Sequence, residues 1–180
     1  MEIAHKHCAS QSVYLTQSHL VCKEPGSDYE IPWHQDYRSG HEIGRMIIWI
    51  ALDDINEKNG CVHVLPGWHR LGVLPVHDFG YADFASVIEP FALPTEATCG
   101  AFALPLVMGA GQAWVCHPLI PHMSKGNKTA SWRRGLVLRY SAPTEEELRS
   151  GLPSCSTCTD SIGVDYRSGS MYSGKRWLIG

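Results

Sequence analysis

Residues 32–36 read Pro-Trp-His-Gln-Asp, which sets an imidazole and a carboxylate two positions apart. In an extended chain such residues share a face, so His34 and Asp36 project together while Gln35 points away. The pair offers two neighbouring ligands to a divalent metal. One further histidine from a distant strand would complete a two-His, one-carboxylate triad, which leaves the opposite face of the ion open for substrate and O2. A His-x-Asp tripeptide alone arises often by chance, and a surface histidine and aspartate at a strand end is the competing reading.

Support comes from the second half of the chain. His122 opens the segment His122-Met123-Ser124-Lys125-Gly126-Asn127, and Arg133 follows on the next apolar run. A strand, a turn at Gly126-Asn127 and a returning strand predict a hairpin with His122 and Arg133 side by side in one pocket. A guanidinium there matches a carboxylate through two parallel hydrogen bonds. A metal with open positions and a deeper cation together meet the needs of 2-oxoglutarate, whose keto-acid end chelates iron and whose far carboxylate requires a positive partner. His117, in the strand-like AWVCHP, is the rival for the second histidine, and Arg134 is the rival for the anchor. Alternation places Arg134 on the strand face opposite Arg133. Arg139 reads as a solvated or outer-pocket residue, and Lys23, before a Pro-Gly turn, is within reach of the pocket mouth but reads first as a solvated lysine. Tyr37, Arg38 and Arg45 are candidates for the substrate side.

The elements that must carry these groups read as short strands: residues 12–23, 45–54, 61–66, 112–118 and 134–142, rich in Val, Ile, Trp and Tyr. Turn signals separate them at Asn59-Gly60, Pro66-Gly67, Gly109-Ala110-Gly111 and Gly126-Asn127. Many closely spaced strands predict an all-β core, a barrel or jelly roll. Residues 144–151 carry a helix signal, with Thr144 as N-cap and Gly151 as stop. Residues 77–97 fit a helical or irregular insertion. The expected organisation is one domain over 1–180, with a core over about 12–143 and a helix plus irregular tail over 144–180.

Bulk properties narrow the function classes. The 180 residues are 44% hydrophobic and 18% charged, which excludes a disordered chain. A net charge of -3 gives no reason to expect nucleic-acid binding. The longest apolar run, near residues 46–52, falls far below the about 20 residues of a membrane helix. The first residues lack the apolar core of a signal peptide, so no membrane association and a cytoplasmic location are expected. Seven cysteines, an odd number, argue against a disulfide framework. Cys155 and Cys158 lack two further nearby ligands for a zinc site, and His5, His7 and Cys8 carry no site.

The sequence resembles the phytanoyl-CoA dioxygenase family of iron(II)/2-oxoglutarate oxygenases. The likeness runs from about His19 to Pro143, through WHQD (33–36), WIALDD (49–54), EKNGCVHVLPGWHR (57–70), GQAWVCHPLIPHMSKGN (111–127) and WRRGLVLRYSAP (132–143). The resemblance implies a double-stranded β-helix (cupin-like jelly roll) with His34, Asp36 and His122 as iron ligands. It selects His122 over His117 through the following Ser-x-x-Asn, and Arg133 as the residue that binds the 2-oxoglutarate carboxylate eleven positions on. It places Ser124 and Trp49 in the cosubstrate pocket, and His19 near the cosubstrate where relatives often carry an apolar residue.

The implied activity is an Fe(II)- and 2-oxoglutarate-dependent dioxygenase that uses O2 to hydroxylate a small-molecule substrate and releases succinate and CO2. Asp36 stands where halogenating relatives lack a carboxylate, which points away from halogenation. Two other readings compete. One is a metal-binding but catalytically idle jelly roll, suggested because only about 33 residues precede His34 where relatives carry more. The other is a cupin-type enzyme that needs no cosubstrate.

Overall fold

A computed structural model describes residues 13–36, 46–77, 87–93 and 103–142, with the backbone alone at Tyr14 and Thr16 and in strands within 161–178. Its strands are β1 (Tyr14–Lys23), β2 (Ile31–His34), β3 (Met46–Ala51), β4 (Val62–Val64), β5 (Val76–His77), β6 (Val87–Ile88), β7 (Leu104–Pro105), β8 (Ala113–Cys116), β9 (His122–Ser124), β10 (Arg133–Ser141), β11 (Ser161–Asp165), β12 (Ser170–Gly174) and β13 (Trp177–Leu178). A five-stranded sheet runs β13-β1-β10-β3-β8, and a four-stranded sheet runs β2-β9-β4-β7. Every strand pairing is antiparallel. The two sheets are those of a double-stranded β-helix, as the resemblance implied. Only three short 3-10 turns, Glu57–Asn59, Trp68–Leu71 and Pro90–Ala92, interrupt the strands among the described residues.

The five strand-like runs of the sequence became β1, β3, β4, β8 and β10 because their β-branched and aromatic residues fill the space between the sheets. Ile47, Trp49, Ala51, Cys116 and Val137 from the larger sheet meet Val62 and Val64 from the smaller, and Ile55, Cys61 and Ile120 close the cluster. Strand alternation aims these residues, and their neighbours in register, inward. Across β1 and β10 the paired positions are Gln17↔Arg139, His19↔Val137, Val21↔Gly135 and Lys23↔Arg133. The inner face of β10 is therefore charged at both ends and apolar between.

Gly135 sets the middle of that face. The Trp49 indole lies directly over it, occupying the place a Cβ would take. An aromatic ring flat on a strand needs the missing side chain beneath it.

The predicted hairpin between His122 and Arg133 does not form. β9 pairs with β2 and β4 in the smaller sheet, whereas β10 pairs with β1 and β3 in the larger. Asn127 explains the difference. Fully buried, it donates from Nδ2 to the Lys23 and Ser131 carbonyls at 3.1 and 2.8 Å, and its Oδ1 accepts from the Thr129 amide and hydroxyl at 3.0 and 2.7 Å. Gly126-Asn127 is thus a staple across two sheets rather than a tight turn within one. Residues 144–151, the predicted helix, lie outside the described residues, and the stretch read as an irregular tail contains β11, β12 and β13. No helix among the described residues is long and apolar enough to cross a membrane.

Gly135→Ala should destabilise the fold by about 1–3 kcal/mol, the usual cost of overpacking a filled core. Urea unfolding checks it, and adding Trp49→Leu should recover part of the loss because the two sites share one space.

Candidate metal and carboxylate site

His34 ends β2, and His122 opens β9 directly opposite it in the register of the smaller sheet. Their ring centroids lie 4.1 Å apart. Each Nδ1 sits on a carbonyl two residues back, that of Pro32 at 2.7 Å for His34 and that of Ile120 at 3.0 Å for His122. A carbonyl only accepts, so both Nδ1 atoms carry the proton and both Nε2 atoms are left as bases. That is the tautomer a metal requires, fixed in advance by the backbone.

Asp36 lies just past the end of β2, so no ladder holds it. Its amide donates to the Pro118 carbonyl at 2.9 Å. Gln35 points the other way, as strand alternation predicts, and anchors the segment. Its Nε2 donates to the Gly72 and Leu119 carbonyls at 2.9 and 2.7 Å, and its Oε1 accepts from the Leu74 amide at 2.9 Å. The donor atoms of His34, Asp36 and His122 all fall within 4.8 Å of one another, close enough to share one divalent ion.

Electrostatics favour the ligating protonation states. Burial, reinforced by the neighbouring His122, pulls the His34 pKa down to about 4. Burial works to raise the Asp36 carboxyl, but Arg139, His122 and His34 outweigh it and hold it well below the usual carboxylate range. A neutral His34 beside an ionised Asp36 suits a divalent first-row cation.

The second cluster lies where Ser124, two residues beyond His122 on the same face of β9, meets the inner face of the larger sheet. Arg133 is 1% exposed. Its Nε and Nη2 donate to the Gly60 carbonyl at 3.1 and 2.6 Å, and its guanidinium carbon lies 5.5 Å from the centre of the Trp49 ring. Gly60 adopts φ 79° and has the Lys125 carbonyl where a side chain would begin, so no other residue fits there without displacement. Arg133 Nη1 and Ser124 Oγ are both buried with no hydrogen-bond partner among the described residues.

Lys23, expected in solvent, is 2% exposed at the register position beside Arg133. Its Nζ donates to the Tyr29 carbonyl at 2.7 Å and reaches the Ser124 carbonyl at 3.5 Å. Burial, and then the Arg133 charge, pull its pKa down to about 7. Two buried basic groups side by side on carbonyl oxygens, with the Glu30 charge a lesser influence on Lys23, are costly unless an anion joins them. The unpartnered Arg133 and Ser124 donors mark where such an anion fits, so the residues present suit a carboxylate ligand as well as a metal.

His19 lies on the same face, nearer the metal ligands. Burial, then Arg139, pull its pKa down to about 4, and its Nδ1 has no hydrogen-bond partner among the described residues. Arg139 is mostly buried and bonds to Asp36 Oδ1 at 2.8 Å, which departs from the solvated alternative of the sequence reading. The signal was available: Arg139 shares strand parity with Arg133 and Val137. His117 is apart from the ligand cluster; its Nδ1 accepts from the Leu119 amide at 3.1 Å, and its ring stacks loosely on His69 at 5.5 Å. Arg134 faces outward onto Asp53, with Nε and Nη2 contacts of 2.9 and 2.7 Å. Tyr37, Arg38, Arg45, Cys155 and Cys158 lie outside the described residues.

The chain is similar in sequence and fold to known proteins. The profile of the phytanoyl-CoA dioxygenase (PhyH) family matches residues 2–135. The L-proline trans-4-hydroxylase of Streptomyces griseoviridis is 29% identical over 151 residues, covering 73% of this chain and 56% of the enzyme. Human peroxisomal phytanoyl-CoA dioxygenase is 30% identical over 131 residues, covering 68% of this chain and 38% of that protein. The chain thus spans roughly half or less of the length of these relatives. Among solved structures, EvdO2 from Micromonospora carbonacea var. aurantiaca complexed with 2-oxoglutarate superposes with a TM-score of 0.63 at 29% identity, covering 80% of this chain and 59% of that one.

A pH dependence of stability follows. The folded chain keeps His19 and His34 neutral down to about pH 4, whereas in the unfolded chain they protonate near 6.5. Between those values the unfolded state binds more protons, so the metal-free protein loses stability as pH falls from about 6.5 towards 4, by up to roughly 3 kcal/mol per group. Thermal unfolding at about pH 7 and pH 5 measures this, and His19→Gln should remove part of the slope.

Proposed function

The chain belongs to the phytanoyl-CoA dioxygenase family, and from that premise we propose that it is an Fe(II)- and 2-oxoglutarate-dependent dioxygenase that hydroxylates a small organic molecule at a C–H bond. The observation that carries this reading is the pairing of two sites in one interior: three metal-type donors at one end, and two buried cations with an unsatisfied Arg133 Nη1 at the other. A metal-binding protein without a cosubstrate has no use for the second.

His34 and His122 would hold the iron through Nε2 and Asp36 through a carboxylate oxygen. Bound iron with 2-oxoglutarate supplies O2 activation, the keto acid giving up two electrons as it leaves as succinate and CO2. The protein's own work is positioning. Arg133 Nη1 and Ser124 Oγ are the donors for the distal carboxylate, and Lys23 adds charge beside them. Trp49 walls the channel against Gly135 and keeps the guanidinium facing inward. Ile47, Val137 and Cys116 line the interior with apolar surface that keeps water from the reacting centre.

Oxygen-dependent formation of succinate from 2-oxoglutarate, with Fe(II) added, tests the proposal. A folded, iron-loaded protein that makes none with a broad panel of small substrates favours the idle jelly roll. Arg133→Gln should weaken 2-oxoglutarate binding by about 100-fold while metal binding persists, since truncating one partner of a buried charge pair costs several kcal/mol. Unchanged activity in Arg133→Gln favours an enzyme that needs no cosubstrate.

Lys23 makes cosubstrate affinity pH-dependent. With a pKa of about 7 in the free site, it must take up a proton to face the carboxylate. Affinity should therefore fall as pH rises above about 7, by at most about tenfold per unit, and Lys23→Gln should flatten the profile measured by isothermal titration calorimetry.

A further inference from the structure

Arg139 is the charged group of the interior that the proposed chemistry leaves without a task. It projects from the inner face of β10 at the end opposite Arg133, and its Nη2 lies 2.8 Å from Asp36 Oδ1. The other carboxylate oxygen, Oδ2, faces His122 Nε2 at 3.9 Å. The two oxygens of Asp36 are thus divided, one turned to a guanidinium and one towards the histidine ligand. Arg139 is itself held from behind, because its Nη1 donates to the Gln17 side chain at the paired position of β1. Asp36, beyond the end of its strand, is tied through this chain of contacts to the centre of the larger sheet.

We propose that Arg139 is a positioning residue that reserves Oδ1 of Asp36 for itself, so that Asp36 meets the metal through Oδ2 alone. The consequence is one of coordination. A second Asp36 oxygen on the ion would fill one of the positions that a facial two-His, one-carboxylate set leaves open. Gln17 fixes the guanidinium so that it cannot swing aside when the metal's own charge arrives. The proposal rests on the reading of His34, Asp36 and His122 as a metal centre, and it needs neither 2-oxoglutarate nor a substrate.

The direction of the effect separates positioning from simple charge. A cation beside a cation repels it, so if Arg139 acted through its charge alone, Arg139→Met would tighten metal binding. A group that orients a ligand gives the reverse, because partners of metal ligands typically contribute 10–100-fold to affinity. Anaerobic titration with Co(II), followed by visible absorption that reports coordination number, is the measurement. Arg139→Met should bind Co(II) about 10–100-fold more weakly and with a changed absorption intensity. Arg139→Lys should restore part of the affinity, since one ammonium reaches one oxygen without the fork. Gln17→Leu, which leaves the ion pair in place, should show a smaller loss in the same direction and serves if Arg139→Met does not fold. Affinity equal to or tighter than that of the unaltered protein in Arg139→Met, or in Gln17→Leu where that variant stands in, overturns the proposal. A protein that shows the Arg139 effect yet forms no succinate overturns the oxygenase reading and leaves the positioning role standing. Succinate formation with unaltered Co(II) binding in Arg139→Met does the opposite.

Discussion

Two basic side chains, Lys23 and Arg133, sit next to each other on adjacent strands with both head groups out of water. Burying like charges together opposes folding unless something negative is brought to them; here the two head groups meet carbonyl oxygens, and the Glu30 charge offsets only part of the cost at Lys23. The surrounding structure is arranged around this constraint. Gly60 is bare and left-handed so that its carbonyl can reach the guanidinium, and Gly135 is bare so that Trp49 can lie beside it. Asn127 ties the crossing segment to the Lys23 carbonyl, which keeps β9 and its Ser124 facing the pair. An enclosed anion-shaped deficit at this end gives the metal-type ligands at the other end a partner molecule to share.

The opposite end has the complementary balance. Asp36 sets a negative charge beside the two imidazoles, and Arg139 pairs with one of its oxygens. Between the two ends the interior is apolar: Val137 and Trp49 occupy the middle of the face, where charge would be unsupported. Local stability and chemistry are coupled here, since the groups that would bind ligands are also those whose burial costs the empty fold most.

Much of this was legible in the residues and some of it was not. His34-Gln35-Asp36 was readable because alternation is a local rule, and Gln35 does turn away into its own hydrogen bonds. The strands were readable from their β-branched and aromatic content. The hairpin was misread because Gly126-Asn127 is a common turn signal, while the buried hydrogen bonds of Asn127 to Lys23 and Ser131 depend on partners in the tertiary structure. Lys23 was misread for the same reason: a lysine before Pro-Gly looks solvated until its strand is paired with the one bearing Arg133. Arg139 could have been found, because the parity argument that set Arg134 outside also sets Arg139 inside.

The most direct measurement is a crystal structure of the protein with a redox-inert divalent metal and 2-oxoglutarate, grown without oxygen. The account predicts the ion on His34, Asp36 Oδ2 and His122, and the distal carboxylate on Arg133 Nη1 and Ser124 Oγ with Lys23 close by. A metal bound elsewhere, or a 2-oxoglutarate whose far carboxylate leaves Arg133 Nη1 unpartnered, would contradict it.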